Sequence, residues 1–190
     1  ATYGQVAKLT ADDGASYDHF GISVAIAGDT VVIGAYYDTH DGGFWSGSVY
    51  VFRTSDGGAT YGQVAKLTAA DAASGDEFGM SVAISDGTVV VGAWKDDDAG
   101  SDSGSAYVFA LPSTDYAQLA KLVASDASSS DYFGNSVAID GDTVVIGATG
   151  AGTGGAVYVL RTSDGGATYV EVAKLTASDA AADDYFGWSL

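Results

Sequence analysis

The sequence has no cysteine, one proline, one methionine and only seven lysines and arginines in 190 residues. Without cysteine there is no disulfide framework, no thiolate nucleophile and no thiolate metal site. Against those seven cations stand 25 aspartates and glutamates, for a formal net charge of −18. Nucleic acids and anionic membrane surfaces require clustered lysine and arginine, so nucleic acid is excluded as a partner. Apolar runs stop at about six residues, far short of the ~20 of a membrane-spanning helix, which excludes helical membrane insertion.

Glycine is abundant instead: 27 residues beside the single proline. That pairing points to many tight turns between short strands and away from a proline-rich or low-complexity linker. Hydrophobic residues make up 47% of the chain, enough to support a packed core.

Self-similarity is the main signal. Phe-Gly followed by x-Ser-Val/Leu recurs at Phe20, Phe78, Phe133 and Phe186, with spacings of 58, 55 and 53. Behind Phe20 come FGISVAI, TVVIGA, SVYVF and QVAKLTA. The second unit reads FGMSVAI, TVVVGA, SAYVF and AQLAKLVA, and the third FGNSVAI, TVVIGA, GAVYVL and VEVAKLTA. Each run is rich in Val, Ile, Tyr and Phe and is bounded by Gly, Asp or Ser, so each reads as a strand. No useful stretch has helical periodicity. Four antiparallel strands in about 55 residues fit a propeller blade. The expected fold is all-β, with about three complete blades of a larger propeller.

The faces of these strands support blades. In FGISVAI one face carries Phe20, Ile22, Val24 and Ile26, and the other Gly21, Ser23 and Ala25; in TVVIGA, Val31, Ile33 and Ala35 oppose Val32 and Gly34. With no charged face, both sides are expected to be covered, and the small residues let a neighbouring sheet approach closely. The fourth strand differs, because Lys8, Lys66, Lys121 and Lys174 share one position in it. A lysine on an outermost strand blocks edge-to-edge pairing, and that is the role expected of them.

With those residues laid out, the unit resembles the FG-GAP repeat, known from integrin α-chain propellers and many secreted microbial and algal proteins. Phe78-Gly79 supplies the "FG", and Val91-Gly92-Ala93 stands where the family has its "GAP", without the proline. A second resemblance is overlaid on the first. Thr54–Tyr61 and Thr162–Tyr169 are similar to the Asp-box, S/T-x-D-x-G-x-T-aromatic, which implies structural hairpin turns on the periphery of sialidase-like propellers. The second unit has the shorter Leu111–Asp115 there.

Integrin-type repeats carry an acidic calcium loop between their first two strands. Here that link is only Ala27-Gly28-Asp29, Ser85-Asp86-Gly87 or Asp140-Gly141-Asp142. Calcium takes six to eight oxygens, which such turns cannot supply. Acids concentrate elsewhere: 17 of the 25 fall in links from strand 2 to 3 and from strand 4 to the next strand 1, which share one face of an up-and-down blade. The densest loop holds Asp96, Asp97, Asp98 and Asp102, a candidate hard-cation site suited to calcium. Asp38 and Asp41 form a thinner version, and the third unit has no acid between Thr149 and Gly155. Solvated acidic loops are the alternative reading.

No catalytic constellation is expected. His19 and His40 are the only imidazoles; neither recurs among the units or has an evident nucleophile beside it. Carboxylate pairs in so acidic a chain do not discriminate for glycosidase chemistry. Tyr36, Tyr37, Trp45 and Trp94 flank the acidic loops and are candidate sugar or ligand contacts, with blade-to-blade packing as the competing role.

By the repeat register, residues 1–19 are the outer strand and link of a preceding blade. The blades follow as 20–77, 78–132 and 133–185, and 186–190 begins another. The stretch is expected to be completed by the rest of a longer polypeptide or by other protein subunits. The expected function is a non-catalytic structural or adhesive module of an extracellular or cell-surface assembly. A glycan- or ligand-binding propeller is the alternative, and a propeller glycosidase fragment stands behind it.

Overall fold

The computed structural model describes residues 4–111 and 116–190. Twelve strands in these residues form three sheets. The first contains β1 (Val24–Ala27), β2 (Thr30–Ala35), β3 (Ser48–Arg53) and β4 (Gly62–Leu67). The second contains β5 (Phe78–Ser85), β6 (Thr88–Ala93), β7 (Ser105–Ala110) and β8 (Gln118–Leu122). The third contains β9 (Phe133–Asp140), β10 (Thr143–Ala148), β11 (Ala156–Arg161) and β12 (Val170–Leu175). Strands lie side by side in chain order, and every pair is antiparallel. The part of the second unit's outer hairpin at 112–115 lies outside the described residues.

Local chemistry explains the meander. The β-branched runs of β2, β6 and β10 favour extended backbone, and two-residue turns join each to the strand before it. At Asp86-Gly87 both residues have positive φ, 47° and 80°, the mirror-image turn that matches strand twist. The outer pairs all carry a register shift, at Val51/Phe52, Val108/Phe109 and Val159/Leu160.

The three sheets stack face to face. One apolar layer joins Val32, Val49, Val51 and Leu67 of the first sheet to Phe78, Val89, Val91 and Tyr107 of the second. The next joins Val90, Val108 and Leu122 to Phe133, Val144, Ile146 and Tyr158. In each sheet the Phe of the Phe-Gly pair meets a buried tyrosine edge-on: Phe20 on Tyr50, Phe78 on Tyr107 and Phe133 on Tyr158, at 5.3–5.5 Å. Coverage on both faces, as expected from the sequence, describes β5 and β9 better than β1. Leu9 and Ala11 pack near Phe20, while Val24 and Ile26 stay 58% and 63% exposed.

The repeated motif builds the joint between sheets. The Ser81 hydroxyl donates to the Gly134 carbonyl at 2.7 Å, and Ser23 and Ser136 donate likewise to Gly79 and Gly187. A β-carbon on Gly92 would lie 1.9 Å from that Gly134 oxygen; on Gly34 and Gly147 the corresponding distance is 2.0 Å. A second contact is a parallel bridge from Gly47 to Phe78, repeated as Gly104 to Phe133 and Gly155 to Phe186. The small residues therefore let backbone meet backbone across the joint.

Candidate functional site

One face carries the links from β4, β8 and β12 onward and the loops from strand 2 to strand 3 of each sheet. The links before β5 and β9 both span ten residues, 68–77 and 123–132. Each is closed by an aspartate that accepts a backbone N–H three residues earlier: Asp18 from Ala15, Asp76 from Ala73, Asp131 from Ser128 and Asp184 from Ala181, at 2.6–2.8 Å. Burial pushes the Asp76 carboxyl up to about 6. The next residue takes positive φ in all four units, between 51° and 57° at His19, Glu77, Tyr132 and Tyr185. The 2–3 loops differ in length, at 36–47, 94–104 and 149–155.

Beneath this face each sheet holds a lysine-centred cluster. Lys66 Nζ lies 2.6 Å from Asp13 and 2.7 Å from Asp38. Lys121 pairs with Asp71 at 2.7 Å, with Asp96 at 2.9 Å and with Asp98. Lys174 pairs with Asp126 at 2.6 Å. Each ammonium also sits 5.0–5.2 Å from the ring of the buried tyrosine, and the Tyr50, Tyr107 and Tyr158 hydroxyls donate to the same carboxylates. Burial opposes the charge on all three lysines, yet the hydrogen bonds around them outweigh it and hold each well above the usual lysine range. Beyond the edge-guarding role expected of them on these outermost strands, Lys66, Lys121 and Lys174 thus have defined carboxylate partners. Their side chains turn toward the acidic face and tie the outer strand to the preceding link.

The acidic candidates separate accordingly. Asp38 and Asp96 are buried, and both belong to lysine clusters. Asp98 joins Lys121, Asp97 accepts the Asp102 N–H at 2.7 Å, and Asp41 is exposed. Carboxylate oxygens of Asp71, Asp96 and Asp98 lie within 4.8 Å of one another, an arrangement that could hold a metal ion. The Lys121 ammonium is bonded to all three. Asp71 comes from the link and not from the acidic loop, so the grouping was invisible in the local sequence.

The aromatic candidates stack among themselves. Tyr36 and Tyr37 are 4.0 Å apart between ring centroids, Tyr37 and Trp45 4.7 Å, and Trp45 and Phe44 4.5 Å. Burial leads the causes that raise the Tyr36 hydroxyl to about 12. Trp94 donates from Nε1 to Glu77 at 2.7 Å, and Lys95 pairs with the other Glu77 oxygen at 2.7 Å. Glu77 is 2% exposed, a placement not anticipated from its position in a link. His19 packs on Tyr36 and Tyr37. His40 donates from Nε2 to the Gly47 carbonyl and accepts the Gly42 N–H at Nδ1, which makes it a brace of the loop. Asp13, Tyr17, Asp18, Tyr37, Asp38 and Trp45 are among the residues lining a cleft of about 530 Å³ on this face.

At the opposite end, Asp56 takes the Thr60 N–H and hydroxyl and the Thr54 hydroxyl, and Asp164 does the same with Thr168 and Thr162. These hydrogen bonds hold the Asp164 carboxyl down to about 2.

Four-stranded antiparallel meanders stacked through small-residue joints, each sending its long loops to one face, define blades of a β-propeller. The chain belongs to the FG-GAP repeat family, whose model matches residues 3–52, 61–109, 116–160 and 169–190. The fold is similar to Sqt1 of Saccharomyces cerevisiae, with a TM-score of 0.51 at 10% identity. That match covers 87% of this chain and 38% of Sqt1. A europium-containing methanol dehydrogenase aligns with a TM-score of 0.48 at 13% identity, over 81% of this chain and 24% of the enzyme. The chain thus spans well under half the length of either structure. No curated protein sequence matches it.

Proposed function

We propose that these blades form a non-catalytic interaction module of an extracellular or cell-surface assembly, and that the face bearing the 2–3 loops meets a protein partner. One observation carries the reading. Framework positions repeat almost unchanged from unit to unit, while variation collects on this face. The residue before each Phe is His19, Glu77, Tyr132 or Tyr185, and β2, β6 and β10 are followed by Tyr36-Tyr37, Trp94-Lys95 and Thr149-Gly150. Scaffold constancy beside loop divergence is how a fold devotes one surface to recognition. The engagement of both His40 nitrogens within its own loop supports a non-catalytic role. A protein-binding propeller face also fits the strongly acidic charge, which steers cationic partners.

A photo-crosslinking residue placed at Tyr132 or Phe44 should capture a protein from the surface fraction of the source cells, while one at Thr60 on the hairpin end should not. Equal capture from both ends would refute the assignment. A hydrolase screen should show no turnover, and an activity abolished by Asp96→Ala would overturn the non-catalytic reading.

The ring column gives a second reading, glycan binding, because Phe44 is 59% exposed at its end. A glycan array separates the two. Asp71, Asp96 and Asp98 could take calcium only once Lys121, bonded to all three, is displaced, so on this reading the intact chain keeps the ammonium there in place of the ion.

A further inference from the structure

We infer that the cleft between the 10–19 link and the 36–47 loop takes the ammonium group of a lysine presented by a basic segment of a partner protein. The inference rests on the interaction-face reading above and assigns a chemistry to one part of that face.

Three carboxylates, Asp13, Asp18 and Asp38, line the cleft together with one cation, Lys66. Asp18 and Asp38 are only 8% and 5% exposed. Asp18 Oδ2 receives the Ala15 N–H, and Asp38 Oδ2 receives the Ser48 hydroxyl and the Lys66 ammonium. Among the described residues the Oδ1 atom of each has no protein donor. Two nearly buried carboxylates thus keep an acceptor for a ligand in a cleft that repels anions. The walls are aromatic, from Tyr17, Tyr37, Phe44 and Trp45. Carboxylates beside ring faces are the chemistry that recognises an ammonium ion.

The molecule already uses this arrangement internally. Lys95 occupies in the second unit the position of Tyr37 in the first; its ammonium lies 5.0 Å from the Trp94 ring and 2.7 Å from Glu77. In the first unit Tyr37 stands in place of that lysine and His19 in place of Glu77, so that pair is absent and the cleft's carboxylates come instead from Asp18 and Asp38. Tyr17 points to the same end. Its counterparts are Gly75, Ser130 and Asp183, all with positive φ between 65° and 92°, and Tyr17 itself has 76°. The turn does not require a ring, yet here it carries one, 81% exposed at the cleft mouth. A hexose fits less well. It needs a broad open ring face, and Trp45 has Tyr37 on one side and Phe44 on the other.

The test is calorimetric titration of the whole chain with the peptide acetyl-Gly-Lys-Gly-Lys-Gly-amide, its Nε-acetylated form, and a cello-oligosaccharide. The lysine peptide should bind at millimolar concentration or below, weaken with added salt, and lose its heat on acetylation. Tyr17→Gly installs the residue the second unit already carries, so it should leave the melting temperature unchanged while weakening the peptide roughly three- to tenfold. Phe44→Ala should act in the same direction. No binding to the wild type, equal binding of the acetylated peptide, or indifference to Tyr17→Gly would each overturn the assignment. So would binding of the oligosaccharide that Tyr17→Gly abolishes. If those failures occur while crosslinking at Tyr132 still captures a protein, the cleft assignment falls and the interaction face stands.

Discussion

Two glycine-to-alanine substitutions separate the two reasons this chain uses glycine. Gly92 has ordinary φ, so alanine there meets no backbone penalty. Its β-carbon, however, would lie 1.9 Å from the Gly134 oxygen and 2.4 Å from the Ser81 hydroxyl. Both contacts are far inside van der Waals distance, and the nearer atom is main chain of the next blade, which cannot rotate away. The second and third sheets must separate, losing the Ser81–Gly134 hydrogen bond, worth about 1 kcal/mol, and loosening the Val90–Phe133 layer. Overpacking of this kind costs roughly 1–3 kcal/mol, so the sum is about 3 kcal/mol. Gly141 is the converse: φ is 52°, and a β-carbon added there would meet nothing within 4 Å. Alanine there carries only the left-handed backbone cost, about 1 kcal/mol. For a domain of this size 1 kcal/mol shifts the melting temperature by about 2–4 °C. Gly92→Ala should therefore melt about 6–12 °C lower and Gly141→Ala about 2–4 °C lower, measured by circular dichroism at a fixed scan rate. A Gly92→Ala protein as stable as Gly141→Ala would refute the close-contact account of the joint.

Two further outcomes follow from the acidic face. Lys121→Gln leaves the buried Asp96 uncompensated beside Asp71 and Asp98, which should cost about 3 kcal/mol; millimolar calcium should then restore part of the melting temperature, while chelator and calcium leave the wild type unmoved. A wild type stabilised by calcium would show that the ammonium does not block the three carboxylates. Asp76, raised by burial to about 6 against 3.8 when unfolded, retains in the folded state a proton that the unfolded chain releases. Its contribution is therefore present below the unfolded value and lost as pH rises through roughly 4 to 6. Asp76→Asn keeps an acceptor for the Ala73 amide, so the urea midpoint of the variant relative to wild type should be higher at pH 7 than at pH 4. The opposite trend would contradict the burial assigned to this group.

The fold was legible because its signals are local and repeated. Alternating Val and Ile runs, two-residue turns such as Asp86-Gly87, and the Phe-Gly recurrence each fix a piece of the meander. The small residues Ser23, Gly34 and Ala25 also announced a close approach of neighbouring sheets. The face was only partly legible. Lys66 reads as an edge guard because sequence shows its strand but not the direction of its side chain, which reaches Asp13 in a link 53 residues away. The cluster of Asp71 with Asp96 and Asp98 likewise joins segments distant in the chain. A usable signal did exist: Tyr50, Lys66 and Asp13 hold equivalent places to Tyr107, Lys121 and Asp71, and to Tyr158, Lys174 and Asp126. Residues of opposite charge that recur together in every unit are candidates for contact. Glu77 gave no such warning, since its partners Trp94 and Lys95 occur in one unit only.

The joint has a direction. Ser81 and Gly92 on the trailing side of one blade receive the Phe133-Gly134 corner on the leading side of the next, and every unit carries both halves. A duplicated or deleted unit of about 55 residues would therefore present its neighbours with surfaces they already fit. Blade number can change by whole units without new contacts having to evolve, while the 2–3 loops, whose main chain also bonds the link of the next blade (Phe44 and Trp45 to Gly75 and Glu77, Ser101 and Asp102 to Ser130 and Tyr132), diverge in the side chains they present. Such a molecule can acquire a new surface by copying a blade and altering only the side chains of its 2–3 loop.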